Sequence, residues 1–238
     1  MIRKTLLAVA AAAVLFCVTS SAFAQGTVDE VIAKNLAAKG GVEKIKAVQS
    51  IRSTGTMTAQ GQSVVITAMS KRPNLSRQEM AVMGQTIVMA FDGTAARMIN
   101  PMVGPGAIDM PAEQVEMIKD QSDMDGPLVD YKAKGSTIEL VGNVTVDGKT
   151  QIHLRIARKS LPVQDVYLDA ATYLEARIAT NVPGSGVIET QLGDYRAVDG
   201  MMMPFSVKTV AAGMSLSEMK LDKIDINPKL DDSLFKIK

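Results

Sequence analysis

The sequence predicts a mainly β fold (α+β). It reads as one large antiparallel sheet of about ten to twelve strands, closed into a barrel or curved around a few helices. Three observations carry this. Apolar residues recur at every second position through most of residues 51–99 and 136–226. Asp92-Gly93, Asp147-Gly148 and Asp199-Gly200 sit between such runs, and Asp-Gly accepts the positive φ angles of a tight hairpin turn. Helical periodicity is confined to the start of the fold and to one central insertion.

The chain opens on a different kind of segment. Arg3 and Lys4 precede an apolar run, Thr5 to Val18, and Ala22-Phe23-Ala24 matches a small-x-small cleavage site. Residues 1–24 are therefore expected to be a secretory signal peptide removed after Ala24, with residues 25–238 forming one domain in the periplasm. Phe16 stands before Cys17 where a lipid-attachment signal needs a small residue, and cleavage after Ala24 leaves a chain without cysteine. Disulfide and thiol chemistry are then excluded. Losing Arg3 and Lys4 moves the formal charge from +1 to −1, which argues against nucleic acid or an anionic membrane surface as partner.

Thr27 and Glu30 form a capping box for a helix whose stripe is Val28, Val31, Ile32, Leu36 and Ala37; Gly40-Gly41 ends it. Val42 to Val48 reads as a further turn or two. Strands are expected over 51–59, 63–71, 77–83 and 85–91, with a short one through Met98 and Ile99. Asn100 to Pro111 holds three prolines and two glycines and should exclude regular structure. A helix from Pro111 and a short second one at Pro127 to Tyr131 should cap the core. The second strand block starts at Ser136. Its first hairpin places Ile138, Leu140, Val144 and Val146 on one face, joined by Ile152, Leu154 and Ile156. Strands near 163–169, 174–182, 187–197, 203–211 and 214–226 follow, and the phase change between Leu221 and Ile224 indicates a bulge near Asp222.

No catalytic constellation is visible, so no enzyme activity, cofactor or metal is expected. The single histidine, His153, falls on the polar face of its strand and reads as a solvated side chain. Asp120, Asp123, Asp125 and Asp130 surround Gly126. A calcium loop built on them would put Lys132 where glutamate is required, so they read as solvated turn formers. The composition is unusual in methionine, 16 residues against 9 aromatics. Methionine is unbranched and adapts its shape, which suits a soft apolar cavity. The cavity candidates are Met57, Met69, Met80, Met89, Met98, Leu140, Val144, Leu154 and Ile178.

Several stretches resemble outer-membrane lipoprotein-sorting proteins of the LolA-like superfamily. They are Gly40-Gly41-Val42-Glu43-Lys44-Ile45 with Ser50 to Gly55, Asp165 to Asp169, Gly193 to Gly200 leading to Pro204-Phe205, and Ile226-Asn227-Pro228 with Asp231 to Phe235. The resemblance implies a half-open β-barrel of about eleven antiparallel strands with helices covering the concave face. It further implies a periplasmic, monomeric, non-enzymatic carrier of the acyl chains of a lipid or lipoprotein, working with a membrane-bound donor or acceptor protein. The same concave sheet could instead serve an interaction or sensing module that recognises a protein partner.

Overall fold

The computed structural model describes residues 26–159, 161–182 and 184–237. The expected signal peptide, with Cys17 and the boundary at Ala24, lies outside the described residues, as does Pro183 of one expected turn.

The described chain forms a single antiparallel sheet of 13 strands. The first block is β1 (Ser50–Ala59), β2 (Gln62–Lys71), β3 (Leu75–Val82), β4 (Gln85–Phe91), β5 (Ala96–Ile99) and β6 (Ala107–Asp109). The second is β7 (Thr137–Val146), β8 (Lys149–Arg158), β9 (Leu161–Asp169), β10 (Glu175–Val182), β11 (Gly186–Val198), β12 (Met201–Ala211) and β13 (Met214–Ile226). Each block is a meander, and the two join where β1 pairs with β13, giving the order β6-β5-β4-β3-β2-β1-β13-β12-β11-β10-β9-β8-β7. β6 and β7 are the two edges, so the sheet is open and not a closed barrel. The strand count exceeds the expected eleven, in part because Ala107–Asp109 pairs with β5 inside a stretch whose prolines were expected to exclude strand.

The turn chemistry is as the sequence indicates. Asp147 and Gly148 have φ of 50° and 75°, and Asp199 and Gly200 have 49° and 76°, the paired positive angles of a type I′ hairpin. Asp92-Gly93 works differently: the Asp92 carboxylate accepts hydrogen bonds from the backbone N–H groups of Thr94 and Ala95. The bulge at Asp222 is present, because Thr54 pairs with Lys223 while Gly55 pairs with Leu221.

Three helices lie on what is here the inner face. α1 (Val28–Ala38) carries the expected capping box, in which Thr27 Oγ1 accepts from Glu30 N and Glu30 Oε2 accepts from Thr27 N. α2 is Val42–Ala47 and α3 is Ala112–Gln121. The helix expected at Pro127 to Tyr131 is instead a run of turns. The largest core joins Val31, Ile32 and Leu36 of α1, Ile45 of α2, and Leu128 and Val129 of those turns to Leu154, Ile156, Val166 and Leu168 of the sheet. Burying a side chain of this size contributes about 1.5–3 kcal/mol, so this is where α1 is held.

The outer face of the first block is covered too. After β13 the chain turns at Asn227, whose Oδ1 accepts from Gln49 N at 2.6 Å, and runs back over β2–β5. Leu230 and Phe235 pack on Met69, and Ile237 packs on Val88 and Ala90. Arg77 and Arg97 donate to the Leu234 and Ile237 carbonyls and fix the path.

The β1–β13 join leaves no room for side chains at one point. A Cβ added at Gly55 would lie 2.2 Å from the Lys220 carbonyl oxygen and 2.8 Å from Leu221 Cα, both backbone atoms. Gly55→Ala should therefore destabilise the fold by at least about 2 kcal/mol, read by denaturant unfolding, whereas Gly104→Ala, in open space without a positive φ, should cost much less. Equal effects would mean that the join is not a point of strain.

Candidate functional site

The chain between β6 and β7 must cross from one sheet edge to the other, and it does so over the inner face. None of the α3 residues is buried, so hydrophobic packing grips it weakly. Polar contacts fix it instead. Ser122 Oγ donates to Ser76 Oγ at 2.8 Å. Asp120 pairs with Arg158, and Asp123 with Lys134. Asp130 pairs with Lys46 at 2.5 Å. Arg72 makes the densest junction. Its guanidinium donates to both Asp125 oxygens, at 3.1 and 2.5 Å, and to the carbonyls of Ile45 and Val48 at the end of α2. The four aspartates, expected to be solvated turn formers, are thus ion-paired staples.

Between this crossing segment, the α1–α2 corner and the sheet lies a cavity of about 270 Å³. Its wall is Ile45, Val48, Ile51, Leu128, Val166, Ile178 and Leu192, with Met124 and the run Met201-Met202-Met203. Polar groups at its margin satisfy one another: Lys39 Nζ pairs with Glu175 Oε1 at 2.9 Å, and Tyr195 donates its hydroxyl to the Glu175 carbonyl at 2.8 Å. Burial, with the Glu175 charge and hydrogen bond adding to it, pushes the Tyr195 hydroxyl far above its ordinary value and keeps it a donor. A second cavity of about 390 Å³ lies under α3 against β2–β4, lined by Met89, Met110, Met117 and Ile118. Successive parts of the crossing segment, residues 110–122 and 123–128, line the two.

No protein-family model matches the sequence, and no curated protein does either. Solved structures do match. A LolA superfamily protein from Nitrosomonas europaea superposes with a TM-score of 0.61 at 10% identity, over 89% of this chain and 98% of that one. A protein domain described as an outer membrane lipoprotein-sorting domain, from Vibrio parahaemolyticus, gives 0.58 at 10% identity over 87% and 94%. This chain has the LolA-like fold. A DUF1329 family protein from Desulfovibrio piger shares it, with 0.57 at 12% identity over 89% and 98%.

Within this LolA-like sheet the residues named from sequence separate into groups. Ile178 lines the 270 Å³ cavity and Met89 lines the one under α3. Met57, Met80 and Met98 share the inner face with Met89, because Met57 pairs with Val64, Met80 with Ile66, and Met98 with Met89. Leu140 edges a further cavity, of about 360 Å³, beside Val31 and Tyr173. Leu154 is fully buried in the main core beneath the helices. Met69 is on the opposite face, under Leu230 and Phe235. Val144 is also misassigned. A bulge at Val141 makes Gly142 pair with His153 and Val144 with Gln151, so the strand changes phase after Leu140 and Asn143 takes the inner place beside Ile152.

His153 does face away from Leu154, but it is not solvated: it is 7% exposed. Its Nε2 lies 2.7 Å from Asp165 Oδ1, its ring stacks on Tyr167 with centroids 4.4 Å apart, and Arg177 covers the other side of Tyr167. The missed cavity residues, Met124 and Met201 to Met203, do carry a signal. Three consecutive methionines in a strand put apolar atoms on both faces, which an ordinary one-sided sheet does not need.

The Arg72 junction has a pH signature. The Arg72 guanidinium holds the Asp125 carboxyl below its ordinary 3.8. A carboxyl whose folded value is depressed contributes stability above its unfolded value and loses it as pH falls through the folded one. Lowering the pH below about 3.8 should release the crossing segment first, seen as a loss of amide protection over residues 112–131 relative to the intrinsic exchange rate at each pH. Asp125→Asn should show that reduced protection already at pH 7 and lose this step. A wild-type segment that stays protected to pH 2 would contradict the stapling role.

Proposed function

We propose that this chain is an exported, non-enzymatic carrier that holds an acyl chain of a lipid or lipoprotein in the cavity walled by Ile178, Leu192 and Met201 to Met203. The observation that carries the proposal is the chemistry of this wall. It is apolar and rich in methionine, and the polar groups at its margin are paired with one another. The charged side chains of its lining, Lys39, Glu175, Asp123 and Asp125, are each held in an ion pair within the protein, so the site gains affinity chiefly by removing methylenes from water. The adaptable methionines suit chains of varied shape. The LolA-like fold supports this, because one structural neighbour is described as an outer membrane lipoprotein-sorting domain. The apolar run from Thr5 to Val18 with Ala22-Phe23-Ala24 supports export to the periplasm with cleavage after Ala24.

A volume of about 270 Å³ is at the lower edge of ligand pockets, so the resting cavity takes part of a long chain. The remainder needs the second cavity under α3, and the two become one trough when the crossing segment lifts. A weakly packed α3 pinned by ion pairs is compatible with such movement, since ion pairs can break and re-form without exposing a core.

A titration with saturated fatty acids tests the burial mechanism. Each methylene is worth about 0.8 kcal/mol, so affinity should rise roughly fourfold per carbon until the cavity is filled. Raising the salt concentration tenfold should change it less than about twofold, because screening acts on exposed charges. Leu192→Trp, which fills the cavity, should weaken binding at least about tenfold with the unfolding temperature little changed. Affinity that ignores chain length and collapses in salt would mean that the head group is recognised, contrary to the proposal.

A further inference from the structure

Along one end of the sheet, five neighbouring turns carry no charge. The strand order places the turns β10–β11, β12–β13, β1–β2, β3–β4 and β5–β6 side by side at the same ends of their strands; the sixth turn at that end, β8–β9 near the β7 edge, holds Arg158 and Lys159 and lies outside this uncharged stretch. The segments that form these five ends, residues 178–188, 209–217, 53–70, 80–91 and 98–108, contain no Asp, Glu, Lys, Arg or His. In the whole chain 21% of residues are charged. The turns at the opposite ends are all charged, for example Lys71-Arg72, Asp147 with Lys149, and Lys229 with Asp231-Asp232. The uncharged end is also where apolar side chains stand in water. Among the described residues every exposed large hydrophobic lies in these segments except Met117, Val141 and Val163. Met83 is 78% exposed, Val103 71% and Met214 66%.

We propose that this end docks on the electroneutral surface of a lipid bilayer. A protein partner is a poor fit, because Tyr, Trp and Arg, the side chains that anchor protein interfaces, are missing from all five segments. A bilayer requires different things, and each is present. Hairpins satisfy most of their backbone N–H and C=O groups by pairing, so their tips enter the interface at little cost. No charge within the five segments has to be desolvated. The Gln, Ser and Thr side chains between the apolar ones keep hydrogen bonds to head groups. The apolar contacts are separate side chains, not a continuous stripe, so docking is shallow and reversible. It is also insensitive to salt, in contrast to basic-patch binding. The proposal does not rest on the acyl cavity.

The test uses the chain expressed from Gln25 onward, so that the apolar run of residues 5–18 contributes nothing. The chain has no tryptophan. Met83→Trp therefore places a single reporter at the uncharged end, and Lys229→Trp places one at the charged end. With phosphatidylcholine vesicles, emission of the Met83→Trp protein should shift to the blue, equally at 0.05 and about 0.5 M salt, and that of the Lys229→Trp protein should not. Partitioning measured by vesicle flotation should fall at least tenfold in Met83→Glu/Met214→Glu, while fatty-acid binding stays at the wild-type level. Three results would overturn the proposal. One is no flotation. Another is flotation that salt abolishes or that the glutamates leave unchanged. The third is concentration-dependent self-association that the same double variant removes, which would make this end a contact between copies of the chain.

Discussion

The pairing of the first strand with the last governs this structure. Each meander alone would expose two edges and bury only one face of its strands. When β1 zips against β13, the two become one sheet, and the free edges move to β6 and β7. The residues that join β6 to β7 then have one short route, across the inner face. A covered inner face, cavities beneath the cover and an open sheet all follow from this one pairing. Its weak point is visible at Gly55, where only glycine fits under Lys220. Its lock is Asn227, which takes up the Gln49 N–H just before β1 begins.

Much of this was legible in the sequence because the governing rules are local. Asp147-Gly148, the capping box at Thr27 and the bulge at Asp222 each depend on a few neighbouring residues, and each is present in the structure. What was not legible depends on contacts between distant residues. Met69 is out of phase with the inward Val64 and Ile66, and its apolar character reflects the C-terminal segment, which returns to cover the outer face there about 160 residues later. Val144 fails because one extra residue at Val141 reverses every later side chain of β7. His153 was placed on the correct face, but the pattern could not show that Asp165, Tyr167 and Arg177 would bury it. The four aspartates of the crossing segment were read as solvent-facing because partners such as Arg72 and Arg158 lie far away in the chain.

The same division holds for the candidate site. The excess of methionine pointed to a soft apolar cavity, and the cavity is indeed rich in methionine. Most of its wall, however, comes from Met201 to Met203, Met124 and the α1–α2 corner, and of the residues named from sequence only Ile178 belongs to it. A strand pattern reports which face a residue takes, not whether that face meets a helix or an empty space. Leu154 shows the difference: it points inward, as read, and is solid core.

A covered apolar cavity with self-paired polar margins has burial as its mode of recognition, and the central claim is that its cargo is an acyl chain. Mass spectrometry of the organic extract from protein purified without detergent tests this most directly. The account predicts acyl lipids at close to one chain per protein, and much less from the Leu192→Trp protein. An extract without acyl chains, from protein that also takes up none when fatty acids are offered, would contradict it.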